Sequence, residues 1–208
     1  MERQVLQQLE SARGRALDVL DLGAGNGWLS YRLASRGHRL AAVDLLVNPL
    51  DGLGAYVHYD VSFTPVQAEF DRLPLAKDRA DLVIFNGSLH YAVNYETTLG
   101  EALRVLRDDG LLVIMDSPVY HDPTSGKQMI QEREVAYAKA YGFPSDAMPS
   151  EGFLSYARLE ELAHGLGIRW QFVEPYYGWR WALRPWWARL RGHREPAKFL
   201  VAVGRVSC

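Results

Sequence analysis

The chain has 208 residues, 48% of them apolar and 23% charged, and a formal net charge of −2. That length buries roughly 70% of the unfolded surface, so one ordinary hydrophobic core is expected, and disordered, collagen-like and coiled-coil architectures are excluded. The single cysteine, Cys208, excludes an internal disulfide and a thiolate zinc fold.

In chain order, the first thirteen or so residues read as a helix with Val5, Leu6 and Leu9 on one face. Residues 16–22 (ALDVLDL) form a short, mostly apolar run that ends in a glycine cluster, as a buried parallel strand does. Residues 27–36 predict a helix, 39–44 a strand ending in an acid, 51–60 a weak helix and 66–69 a third strand. Residues 80–85 predict a strand entering Asn86-Gly87. A helix is expected over 96–107, with Leu99, Leu103 and Leu106 on one face and a stop at Asp108-Asp109-Gly110. Strands are expected at 111–115, 168–173 and 198–203, and helices at 125–141 and 156–166. Strands alternating with helical segments predict an α/β three-layer sandwich around a mostly parallel, seven-stranded sheet. The reading is of a single domain over residues 1–208, with a Trp/Arg-rich insertion near 179–194.

No apolar run is long enough to span a bilayer, and residues 1–10 do not form a signal peptide. A cytoplasmic protein is therefore expected. The six histidines show neither H-x-x-x-H nor H-x-H spacing, so no metal site is expected. Charge is unevenly placed. Residues 170–208 carry seven basic and two acidic side chains, a surplus of +5, which leaves −7 for residues 1–169. Five of the six tryptophans lie in that same tail.

In a parallel sheet, ligands sit beyond the carboxyl ends of the strands. The segment after the first strand is Asp21-Leu-Gly23-Ala-Gly25-Asn-Gly27. Its glycines allow a sharp turn and close backbone approach to a ligand. A nicotinamide fingerprint needs glycine at position 28, where the chain has Trp28, so an oxidoreductase is disfavoured. A carboxylate at Asp21 suits a cationic or hydroxyl-bearing ligand better than a pyrophosphate. Asp44 ends the second strand and can accept both hydroxyls of a ribose. Glu69 can accept from the exocyclic amine of an adenine.

Residues 19–27 (VLDLGAGNG) resemble the first motif of class I S-adenosylmethionine-dependent methyltransferases, of the type 11-like group. Residues 68–74 (AEFDRLP) are similar to the third-strand motif, 80–90 (ADLVIFNGSLH) to the fourth, and 101–110 (EALRVLRDDG) to the segment entering the fifth strand. The resemblance implies a Rossmann-like methyltransferase fold and S-adenosylmethionine as cofactor, with S-adenosylhomocysteine as product. It implies that Gly23, Ala24 and Gly25 approach the methionine portion and ribose, and that Asp21 faces the ammonium. Asp44 would hold the ribose, Leu45 flank the adenine, Glu69 and the Phe70 N–H read the adenine edge, and Asn86 sit by the methionine carboxylate or sulfonium. The acceptor is expected to be a small molecule of unspecified identity. A non-catalytic S-adenosylmethionine-binding protein is the alternative.

His90 is the candidate general base, because it follows the fourth strand and histidine titrates near neutrality. Tyr91, Tyr120, Tyr176 and Tyr177 are candidate walls of an acceptor pocket, and Glu132 and Arg133 are candidates to face it. The tail at 179–192 is expected to pack with Trp186, Trp187 and Leu190 inward and its arginines outward. Peripheral contact with an anionic membrane is a second reading, and nucleic acid a weaker one.

Overall fold

The computed structural model describes residues 5–144 and 149–206. The cysteine at position 208 lies outside the described residues. Seven strands form one sheet: β1 (Asp18–Leu22), β2 (Arg39–Asp44), β3 (Thr64–Gln67), β4 (Ala80–Asn86), β5 (Leu106–Met115), β8 (Ile168–Val173) and β9 (Val201–Val206). Their order is β3-β2-β1-β4-β5-β9-β8. The first five are parallel neighbours, and β9 runs antiparallel to both β5 and β8. A two-residue pair, β6 (Val119–Tyr120) with β7 (Leu154–Ser155), forms a small parallel ribbon beside it.

The period-2 alternation of each strand divides the core in two. Leu20, Val83, Phe85 and Leu112 face α3 (Tyr95–Val105) and α5 (Tyr156–Leu166), which contribute Leu99, Ala102, Leu159 and Leu162. Val19, Leu82, Ile84 and Val113 point the other way, toward α1 (Gln7–Arg13) and α2 (Trp28–Ala34), where Leu9, Leu29 and Leu33 close the layer. Burial on both faces is why these strands carry so few polar residues. Caps fix the helix starts. Asn94 accepts from the Thr97 N–H, and Ser155 accepts from the Arg158 N–H.

Several boundaries differ from expectation. The helix expected over 96–107 ends at Val105, and Leu106 already pairs with Ala80 in the sheet. Residues 107–110 then bulge before Leu111 meets Leu82, so Asp108-Asp109-Gly110 interrupts a strand rather than stopping a helix. β3 ends at Gln67, which leaves Glu69 just past the strand, and the last strand lies at Val201–Val206 rather than 198–203. Residues 51–60 form only a 3-10 turn, at Leu53–His58.

The tail also departs from expectation. It forms α6 (Trp179–Ala182) and α7 (Arg184–Leu190), neither of which has a buried residue. Trp186, Trp187 and Leu190 are exposed, not inward. The ring that packs is Trp181, against Tyr177 and Phe199. Among the described residues, no helix is long and apolar enough to cross a membrane.

Candidate functional site

After β1 the chain runs outward to β2 and β3, then returns to place β4 on the other side of β1. That reversal opens a crevice beyond the carboxyl ends of β1 and β4. A cavity of about 910 Å3 lies there, lined by Gly23, Asp44, Leu45, Glu69, Phe70 and Ser88 among others. The structure thus brings the ends of four strands to one site.

The glycine loop is shaped for close approach. Gly23 has φ +75°, and a side chain there would collide with Ser88. The Gly23 and Ala24 N–H groups both donate to the Val43 carbonyl, at 2.8 and 3.0 Å, which pins the loop to β2. At Gly27, with φ +79°, a Cβ would lie 2.6 Å from the Phe63 ring. The Gly25 N–H donates to Asp44 Oδ2 at 2.8 Å, and the Leu46 N–H donates to Asp44 Oδ1 at 2.9 Å. Two backbone groups therefore orient the Asp44 carboxylate, and each oxygen keeps a free lone pair.

Asp21 sits deeper, 1% exposed. Its Oδ2 accepts from the Ser30 hydroxyl at 2.8 Å, while Oδ1 is buried and has no partner. Burial pushes this carboxyl up to about 6, with the Asp44 charge adding to the rise and the Ser30 hydrogen bond opposing it. Asn86 Oδ1, at the end of β4, is likewise buried and unpartnered. Both residues lie outside the cavity lining, and such orphaned acceptors are unusual, since buried polar atoms normally find partners.

Leu45, Glu69 and Phe70 line the outer cavity, and the Phe70 ring stands edge-on to Phe85 at 5.8 Å. His90 lies outside the lining. It is buried, its Nδ1 is 3.1 Å from the Ser117 hydroxyl, and its carbonyl accepts from the Gly152 N–H. Burial, then the nearby Arg133 charge, push its imidazole down to about 4.

The helix α4 (Pro123–Tyr141) crosses the cavity, with Ile130, Arg133, Glu134 and Tyr137 on the lining. Of the four candidate tyrosines, Tyr91 lines the cavity. Tyr120 is core, and Tyr176 and Tyr177 lie elsewhere, beside Trp181. Glu132 turns away to pair with Arg194 at 2.8 Å. Ser88, Thr98, Ile130 and Tyr137 escape sequence reasoning. Ser88 donates to the Leu22 carbonyl and fills the space beside Gly23, which only the packing of β4 on β1 can show. Among the described residues, no group of three His, Cys, Asp or Glu side chains is arranged to hold a metal ion.

Comparison with known proteins bears on this geometry. Residues 20–114 match the family model described as a methyltransferase domain. The chain is 29% identical over 181 residues to a malonyl-[acyl-carrier protein] O-methyltransferase of Hahella chejuensis, a match that covers 85% of this chain and 60% of that protein. Five other curated relatives are covered over only 36–38% of their length. Among solved structures, the YcgJ protein of Bacillus subtilis superposes with a TM-score of 0.68 at 14% identity, covering all of both chains. A 1,6-didemethyltoxoflavin-N1-methyltransferase of Burkholderia thailandensis gives 0.58 at 21% identity, over all of this chain and 78% of that one. The matched segment runs from β1 into β5 and carries the glycine loop and the Asp44 strand end. The family match and the methyltransferase-named relatives support an assignment to the class I S-adenosylmethionine-dependent methyltransferases.

Proposed function

We propose that the protein transfers a methyl group from S-adenosylmethionine to a small acceptor that presents a carboxylate on an apolar body. The observation that carries the cofactor half is the Asp44 carboxylate, held by two backbone N–H groups on the lining of a cavity that Gly23 and Gly87 also line. The site residues fit that group. Asp44 has lone pairs left for two ribose hydroxyls, and Leu45 and Phe70 offer apolar faces for a base. Glu69 is exposed on the lining and can accept from an amine. The orphaned oxygens of Asp21 and Asn86 supply acceptors for an ammonium end. When bound, S-adenosylmethionine supplies a methyl already activated on a sulfonium.

The acceptor half is walled by Tyr91, Val93, Ile130 and Tyr137. Arg133 is the one cation on the lining, and it has no carboxylate partner among the described residues. A guanidinium over an apolar wall suits an anionic group attached to a hydrocarbon. The named substrate of the Hahella relative, a malonyl-[acyl-carrier protein], also presents a carboxylate, there borne by a carrier protein. A carboxylate oxygen attacks without losing a proton. The residues then need only orient it, a proximity task.

His90 fits this chemistry as a positioning residue. Held by Ser117 and depressed to about 4, its imidazole is neutral at physiological pH and a weak base. Its carbonyl ties down Gly152, next to the cavity lining at Pro149 and Ser150. At saturating substrates, kcat should therefore stay flat from about pH 6.5 to 8.5, with no histidine ionisation in the profile. His90→Ala should lower the melting temperature while reducing kcat less than about tenfold. A profile rising through the histidine range in the parent and flat in the variant would restore the general-base role.

Titration calorimetry tests the cofactor assignment. Micromolar binding of S-adenosylmethionine or S-adenosylhomocysteine is expected, with no heat from nicotinamide dinucleotides. Tight dinucleotide binding without a response to S-adenosylmethionine would overturn it.

A further inference from the structure

The segment between β8 and β9 takes no part in the cavity. From Trp179 to Leu190 it forms a nearly continuous helical stretch, because Leu183 is right-handed helical and links α6 to α7 through N–H bonds at both ends. Its large apolar side chains, Trp179, Leu183, Trp186, Trp187 and Leu190, recur at i, i+4, i+7, i+8 and i+11. At helical pitch these fall within one stripe about 100° wide. The stripe is turned to solvent: Trp179 is 64% exposed, Trp186 56%, Trp187 48% and Leu190 62%. Trp181 sits on the opposite face, and it is the ring that fastens the helix to Tyr177 and Phe199. The apolar stripe is therefore directed outward by an anchor behind it.

Arginines border that stripe. Arg180, Arg184 and Arg191 fall along one flank and Arg189 along the other. Arg180 and Arg191 lie over Trp179 and Trp187 at 5.4 and 5.7 Å, and Arg184 lies 4.0 Å over Trp181. None of these four has a carboxylate partner among the described residues. No acidic residue occurs between Glu174 and Glu195. An apolar face of Trp and Leu flanked by unpaired cations matches a helix that lies in the plane of a bilayer interface, rings among the acyl chains and guanidinium groups at the phosphates.

We propose that the helical segment at 179–190 is a docking surface for an anionic lipid bilayer. The position gives the contact a use. β8 runs parallel to β5, since both are antiparallel to β9, so the segment leaves the sheet at the same carboxyl end at which the cavity lies. The segment that follows is tied to the cavity cover: Arg194 pairs with Glu132 of α4 at 2.8 Å, and the Glu195 carboxylate accepts from the Asp122 N–H at 3.0 Å. A docked bilayer therefore lies at the same end of the sheet as the cavity.

Vesicle sedimentation of the full chain tests this, using equal parts phosphatidylglycerol and phosphatidylcholine against phosphatidylcholine alone. Binding to the mixed vesicles, weakened by added salt and accompanied by a blue shift of tryptophan emission, is the expected result. The double variant Arg189→Glu/Arg191→Glu and the double variant Trp186→Ala/Trp187→Ala should each weaken binding at least tenfold. Arg189→Lys/Arg191→Lys should stay within about threefold of the parent, because a bilayer reads charge rather than guanidinium geometry. Melting temperatures should match across all four proteins, since none of these side chains is buried. Calorimetric binding of S-adenosylhomocysteine should also be unchanged, which separates a failure here from a failure of the cofactor assignment. Absence of binding to the mixed vesicles, or equal binding by parent and charge-reversed variant, overturns the proposal. So does tight binding to a single-stranded oligonucleotide without any response to vesicles.

Discussion

Asp21→Asn should make the ligand-free protein more stable by about 2–3 kcal/mol at about pH 8, and at the same time weaken its hold on the cofactor. The carboxyl of Asp21 rises from 3.8 to about 6 in the folded chain, chiefly through burial. Below about pH 4 it is protonated in both the folded and the unfolded state, so it contributes no difference. Between about pH 4 and 6 the folded state keeps the proton longer, and stability falls as pH rises. Above about pH 6 the loss is complete, and at 1.36 kcal/mol per pKa unit it amounts to about 3 kcal/mol. Asparagine cannot ionise, and it matches the carboxylate in shape. It keeps an oxygen for the Ser30 hydroxyl, which donates to Asp21 at 2.8 Å. Equal denaturant midpoints for parent and variant at pH 4 and again at pH 8 would show that Asp21 carries no buried charge. The weakened cofactor binding follows from the same charge. An ionised acceptor with one orphaned oxygen is held at a cost in stability, which a cationic ligand group offsets.

Asp44→Ala should weaken cofactor affinity by about 1.5–3 kcal/mol, roughly 10- to 150-fold, with a much smaller effect on folding. Both carboxylate oxygens are already aimed by the Gly25 and Leu46 N–H groups. Truncation removes the ribose acceptor and also releases the loop that brings Gly23 and Gly25 toward the ligand. The two N–H groups left behind lie at a solvent-accessible edge, where water can replace the carboxylate, so folding should lose no more than about 1 kcal/mol. Asp44→Asn should fall between parent and Ala, because one acceptor oxygen survives. An affinity unchanged in calorimetry would reduce Asp44 to a turn-forming residue.

Much of this fold is legible in the sequence because its signals are local. β2 at Arg39–Asp44, α5 at Tyr156–Leu166 and β8 at Ile168–Val173 fall where periodicity and turn residues place them. The glycine loop and Asp44 are visible for the same reason: left-handed turns demand glycine, and a strand ending in an acid stands out from an apolar run. What a side chain meets across the sheet is not local. The bulge at residues 107–110 exists because Leu106 is pulled into register with Ala80, a contact spanning more than twenty residues. Whether Asp21 is paired, orphaned or solvated depends on how α2 sets Ser30 over β1. His90 has the right type and position for a base, yet burial, and then the Arg133 charge, depress it to about 4. The tail shows the division most plainly. Its sequence shows a Trp/Arg-rich insertion, and the structure makes it helical. Which face turns inward was decided by the tertiary structure, where Trp181 finds Tyr177 and Phe199 and leaves the opposite stripe in water.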